Sequence, residues 1–236
     1  MGYVDSWTQR YRGVDLGPYG LLLGRLMVRR RAVHLAAGLV GAVLVLRVAQ
    51  FLVGSYALVW PVLLTALVAL AAGVALLVQR VGDRRIAAAQ HDRVGRLWPV
   101  DFTAVLGRRT RILLTVSYVG AALLGFVQLL SGDDIAPAVV FLCGVALLAV
   151  VTYASLRSAL TRAPIAVDHG SLQADDLLRV NDARHAAVAY PVLLALVTMA
   201  STASIWLLTV YTAVSVVISV YAMAHEPLTP KVPVPR

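Results

Sequence analysis

The sequence predicts an all-α membrane helix bundle, with six transmembrane helices in three hairpins and both termini cytoplasmic. Three observations predict it. Apolar residues make up 60% of the 236, and the mean hydropathy is +0.80. They gather in three long runs, residues 32–78, 112–156 and 186–224, instead of in short periodic stripes. Basic residues stand before each run and are missing from the short turns within the first two.

The elements follow in order. Residues 1–31 form a cytoplasmic or interfacial N-terminal segment. Asp5, Arg10, Arg12 and Asp15 interrupt it, so no cleavable signal peptide is evident. Met1-Gly2 with Ser6 fits the myristoylation pattern, but the first apolar run already anchors the chain. A crossing takes about 20 apolar residues. Residues 32–53 supply the first span, Gly54-Ser55 a turn, and residues 56–78 the second span. Residues 112–130 are the third span. The polar turn Ser131-Gly132-Asp133-Asp134 follows, and Pro137 opens the fourth span at residues 136–156. The last run holds 39 residues without an acid or a base. That is nearly two crossings at about 1.5 Å per residue, so a break at residues 200–204 divides it into spans five and six. One long tilted helix, giving five spans, is the alternative. Residues 225–236 form a flexible tail, and the whole chain reads as one integral membrane domain.

Charge orients the bundle. Six arginines precede span one, eight lie within residues 80–111 and four within 157–184, and Lys231 and Arg236 follow span six. Twenty of the 21 basic residues therefore fall on one side, which the positive-inside rule makes cytoplasmic. Trp60 and Trp206 mark the outer interface, and Tyr153 and Tyr221 the inner one. The net charge of +9 borders lipid-length segments, so its expected partner is a bilayer with anionic headgroups and not nucleic acid. Cys143 is the single cysteine, which excludes an intramolecular disulfide and a cysteine metal cluster.

Arg47 is the one basic residue inside a span, roughly 8–10 Å below the outer end. It serves a function, snorkels to the headgroups, or pairs with Asp133 or Asp134 as a structural clamp. With Gln50, Gln128, Asp133 and Asp134 it forms a candidate outward-facing polar cluster. Asp175, Asp176, Arg179, Asp182 and Arg184 form a mixed-charge helix with i,i+3 and i,i+4 pairs. It reads as a solvated helix or, through Asp175, Asp176, Arg179 and Arg184, as a docking surface for a partner. His34 and His185 stand at the starts of odd-numbered spans without a second ligand at i+3 or i+4, so no metal is expected. His91-Asp92 and Asp168-His169 read as solvated loop residues. Leu23-Gly24-Arg25, Leu106-Gly107-Arg108 and Leu177-Leu178-Arg179 recur before the hairpins as amphipathic stubs. Small residues four apart, Ala37 with Gly41, Ala69 with Gly73, Ala121 with Gly125 and Ser215 with Ser219, predict close helix packing. Catalytic motifs are missing: no Gly-x-Ser-x-Gly, no His-Glu-x-x-His and no P-loop. No enzyme activity and no cofactor are expected.

The stretch Ala174-Asp175-Asp176-Leu177-Leu178-Arg179, continuing through Asp182-Ala183-Arg184-His185-Ala186 into a span, resembles uncharacterised actinobacterial multi-pass membrane proteins. Some of these are encoded beside ABC-transporter and regulator genes. In size and topology the chain is also similar to ABC-2-type permease subunits. That similarity implies an interfacial helix at residues 14–27 and a cytoplasmic ATPase or another membrane subunit as partner. The chain departs from those permeases in its short outer segment, residues 200–204. The expected function is a non-enzymatic component of a transport or export system in the cytoplasmic membrane. The alternative is a scaffold docking a cytoplasmic partner through the basic loops at residues 80–111 and 157–185.

Overall fold

A computed structural model describes residues 16–54, 59–90, 102–131, 135–186, 190–198 and 205–225. Among these the chain is all-helical, with seven helices: α1 Tyr19–Val53, α2 Val59–Ala88, α3 Phe102–Ser131, α4 Ile135–Thr161, α5 His169–Ala186, α6 Tyr190–Thr198 and α7 Ile205–His225. Four helices, α1, α2, α3 and α4, are long and apolar enough to cross a membrane. They are all-α for a physical reason: hydrocarbon offers no partner for peptide groups, and a helix satisfies its own. Large apolar side chains face outward along them, among them Val45, Phe51, Leu52, Leu123, Leu130 and Val150. On a soluble protein that surface would seek a partner, whereas lipid covers it without cost.

The helices outrun their apolar segments. α1 has 35 residues, so it measures about 52 Å, well beyond a hydrocarbon core of about 30 Å. The excess lies at the basic end, where Leu, Met and Arg continue the helix in good conscience with their propensities. α2 likewise continues through Arg80, Arg84 and Arg85 to Ala88. These projecting turns form a second, polar layer under the membrane layer. Residues 19–27 are thus the first turns of α1 and not a separate interfacial helix. The three Leu-and-Arg stubs fold in three different ways. The first is continuous with α1 and the third lies inside α5. The second is set off by Gly107, whose φ of 64° and ψ of 160° kink α3, a conformation open to glycine and strained for other residues.

α1 and α2 pack along one another, α2 and α3 both pack on α4, and α7 lies against α3. α6 sits among α1, α2, α3, α4 and α7, with Val192, Leu194, Ala195 and Val197 in a core shared with Val68, Phe141 and Leu148. The last apolar run therefore carries two helices, and its expected break at residues 200–204 lies outside the described residues. The described part of α6 has nine residues, about 13 Å, and residues 187–189 and 199–204 on either side of it lie outside the described residues. Its apolar sequence suits the bundle interior as well as lipid.

Of the small-residue pairs, Ala121 with Gly125 makes the tightest approach. A Cβ on Gly125 would stand 2.5 Å from Leu142 Cδ2 of α4. Gly41 and Gly73 have nothing within 4 Å of that position, although Ala69 is itself buried in the core. Ser215 is fully buried, and Ser219 Oγ donates to its carbonyl at 2.7 Å. Polar ties join the helices further in: Tyr118 bonds Thr152 Oγ1 across α3 and α4 at 2.6 Å, and the Tyr211 hydroxyl donates to the Ser117 carbonyl at 2.8 Å.

Candidate functional site

The polar layer is held by a buried network of four arginines and three aspartates. α1 contributes Arg25 and Arg29, one turn apart and 1% and 2% exposed. α2 contributes Asp83, α5 contributes Asp175, Arg179 and Asp182, and Arg162 follows the end of α4. Arg29 grips Asp182 with both arms of its fork, Nε to Oδ1 at 2.8 Å and Nη2 to Oδ2 at 2.7 Å. It also reaches both oxygens of Asp83 at 3.3 Å. Arg25 pairs with Asp175, and Arg162 pairs with Asp83 and, at 3.2 Å, with Asp182. Each carboxylate meets at least two guanidinium groups, so its charge is compensated away from water.

Arg179 does a second job. Its Nε bonds Asp175 Oδ2 at 2.7 Å. Its remaining nitrogens donate to the carbonyls of Ala159 at 3.1 Å, Leu160 at 3.4 Å and Arg162 at 2.8 Å. Those carbonyls end α4 and have no helical partner of their own, so α5 caps α4 through one side chain. The start of α5 is fixed by Asp168, whose carboxylate accepts from Ser171 N at 2.7 Å, while Ser171 Oγ accepts from Asp168 N at 3.0 Å. This reciprocal cap gives Asp168, which is exposed as expected, a structural role as well. Leu22 and Leu26 of α1 then close over Ala174, Leu177 and Leu178.

α5 is therefore not a solvated helix. Asp175 and Arg179 are buried and engaged within the chain, so a docking surface here would need other side chains. Asp176 is half-buried, and the side chain of Arg184 lies outside the described residues. Burial by itself would raise the Asp175 carboxyl. The charges of Arg25, Arg179 and Arg162 together outweigh it and hold the group below its ordinary value. The same contest at Asp182 is won by Arg29 and Arg162, with the same direction.

Beside this network lies a cavity of about 920 Å³, near the upper end of the range for small-molecule sites, about 300–1,000 Å³. Its walls come from α1, α2 and α4, with Asp182 of α5 and Tyr190 and Leu193 of α6 behind. Toward the centre of the bundle it is lined by residues such as Val40, Ala72, Leu76 and Val151; at the polar layer it meets Arg80, Arg84, Arg157 and Arg162. Arg80 ties α2 to α4 there, donating to Ser158 Oγ at 3.1 Å and the Ala154 carbonyl at 2.8 Å. No family model, curated protein or solved structure matches this chain. What the residues build is an amphipathic chamber with a positively charged floor.

The outer polar residues are placed as follows. Arg47 is half-buried and donates to Gln50 Oε1, one turn on, at 2.6 Å. Gln50 and Gln128 are buried, at 3% and 1% exposure. Gln128 lies on α3, and α1 and α3 share no extended packing face. Asp133 and Asp134 lie outside the described residues, so the clamp they were expected to form with Arg47 is not described. His34 accepts from Arg30 Nε at 3.3 Å, and no group of metal ligands occurs among the described residues.

Arg29, Asp83 and Arg162 belong to no motif in the sequence, and Arg25 stands there only within an amphipathic stub. A signal was there: Leu22, Arg25, Leu26 and Arg29 share one helical face, and Asp83 is the lone acid among Arg80, Arg84 and Arg85. Acid and base in equal register on different helices is a pattern for pairing, but nothing local says which helices meet.

Proposed function

We propose that the chain is a six-span protein of the cytoplasmic membrane, with both ends inside, and a non-enzymatic component of a transport or export system. The observation that carries this reading is the amphipathic cavity of about 920 Å³ among α1, α2 and α4, apolar toward the bundle centre and basic at its floor. A pure scaffold has no need of such a space, and close packing normally removes it. The both-ends-in arrangement is supported by Arg109, whose guanidinium stands 4.7 Å from the ring centre of Tyr221. That contact joins the basic start of α3 to the end of α7. An ABC-2-like partnership with an ATPase is part of the proposal, the projecting basic ends of α1 and α2 being the surface offered to it.

Two-sided access tests the reading. A single cysteine is introduced on the cavity wall as Ala75→Cys in a Cys143→Ser background, because Cys143 is exposed. A membrane-impermeant maleimide is then applied to intact cells and to inverted vesicles. Labelling from both sides supports a transport pathway. Labelling from the inner side alone in growing cells refutes it in favour of the scaffold.

A further inference from the structure

The cavity has a composition that specifies a class of ligand. Its polar end gathers four guanidinium groups from two helices and the turn after α4: Arg80, Arg84, Arg157 and Arg162. Two of these are uncommitted. Arg84 and Arg157 are exposed and have no carboxylate within ion-pair distance among the described residues. Arg162 is held by Asp83 and Asp182, yet its buried Nε has no hydrogen-bond partner among the described residues. Asp83 and Asp182 also border the space, but their charge is already matched by Arg25, Arg29 and Arg162. The field left for a ligand is therefore positive, and forked donors suit phosphate.

The apolar end fits a chain. Along α2, Ala72 stands twelve residues above Arg84, about 18 Å. Along α4, Val150 stands seven above Arg157, about 10 Å. Small and aliphatic side chains line this depth on all three walls. The cavity is also open sideways: α1 and α4 both border it without an extended packing face between them. The wall residues Val150 and Tyr153 are 63% and 64% exposed on the lipid-facing side.

We infer that this cavity binds a phosphate-headed lipid taken laterally from the inner leaflet. The phosphate lies among Arg84, Arg157 and Arg162, and the hydrocarbon lies along Ala72, Ala75 and Val150. The inference rests on the reading of the basic side as cytoplasmic and names the substrate class of the proposed pathway.

The test uses the purified full chain in nanodiscs of neutral phosphatidylcholine, with fluorescent phosphatidylglycerol as the probe. Arg84→Gln with Arg157→Gln should weaken probe binding about tenfold or more, the effect of losing charge-assisted contacts. Both side chains lie outside the buried ion network, so the melting transition should persist. Ala75→Phe, which fills the apolar half and leaves every arginine in place, should weaken binding as well and serves as the independent variant. Equal binding of a fluorescent phosphatidylcholine, or unchanged binding in both variants, overturns the inference. Displacement of the probe by millimolar inorganic phosphate, with Ala75→Phe silent, assigns the site to a soluble anion and also overturns it. Lipid binding with one-sided thiol access would leave this site standing and refute transport. Two-sided access without headgroup preference would do the reverse.

Discussion

Replacing Arg29 by methionine should cost the protein about 3 kcal/mol, the lower end of the range for breaking a buried ion pair. Arg29 is 2% exposed and makes a two-armed contact with Asp182 and two longer contacts with Asp83. Methionine keeps most of the volume, so the loss reports charge and not a cavity. The lower end applies because Arg162 also touches both aspartates and remains to compensate them. Asp182→Leu alone should be costly for the mirrored reason. Arg29→Met with Asp182→Leu should then cost less than the two losses added, by about 2 kcal/mol, because neither charge is left stranded. Arg29→Lys should recover part of the loss, since it keeps the charge and gives up the fork. Urea or dodecyl sulfate unfolding in detergent micelles, followed by tryptophan fluorescence, measures all four. A loss under about 1 kcal/mol for Arg29→Met, or strict additivity with Asp182→Leu, would show that the network is solvated and the burial argument false.

Arg179→Met should uncap α4 and free α5, with a loss of about 1.5–3 kcal/mol and faster amide exchange at residues 159–183; unchanged protection there would remove the capping role. Gly125→Ala should cost about 1–3 kcal/mol through the contact with Leu142, whereas Gly41→Ala, with open space around it, should be neutral or slightly stabilising in the same melts. Acid should act late. Asp175 and Asp182 are held below the ordinary value of 3.8, so their stabilisation is present above that pH and is lost as pH falls through their depressed values. Melting should therefore be flat from neutral pH to about 4 as far as these two groups decide it. A midpoint falling steeply between pH 6 and 5, and abolished by Asp175→Asn, would contradict the assignment.

The membrane layer was legible in the sequence because lipid imposes a rule that acts on every residue of a span. Residues 32–53, 59–78, 112–130 and 136–156 fall within α1, α2, α3 and α4, and residues 56–58 of the second expected span lie outside the described residues. Helix ends were less legible, because hydropathy ends where hydrocarbon ends while the helix continues in water on its own hydrogen bonds. Arg25 and Arg29 therefore looked like residues before a span when they lie within its helix. α6 is ambiguous for the opposite reason. Its side chains satisfy the rule for lipid, but Val192, Leu194 and Ala195 meet protein on every side, and one apolar environment resembles the other.

The charged helix marks the deeper limit. Asp175 and Arg179 at i,i+4 have the same local signature whether the pair faces water or a neighbouring helix. In water such a pair contributes a few tenths of a kcal/mol and is dispensable. Here it is one edge of a network in which Arg179 also closes α4 and Asp175 also neutralises Arg25. The difference lies in the partners, which come from residues 150 positions earlier for Asp175 and from the end of α4 for Arg179, and no periodicity within α5 encodes them. What α5 does encode is that Leu177, Leu178, Val180 and Ala183 need cover: Leu178 and Ala183 flank the buried charges, and Leu177 and Val180 lie on the other side of the helix. A helix with apolar residues on both sides of its charges cannot be solvated without exposing the first or buried without pairing the second. The consistent solution is a buried helix with matched ions, and among the described residues Arg84 and Arg157, which border the cavity, stand outside that network.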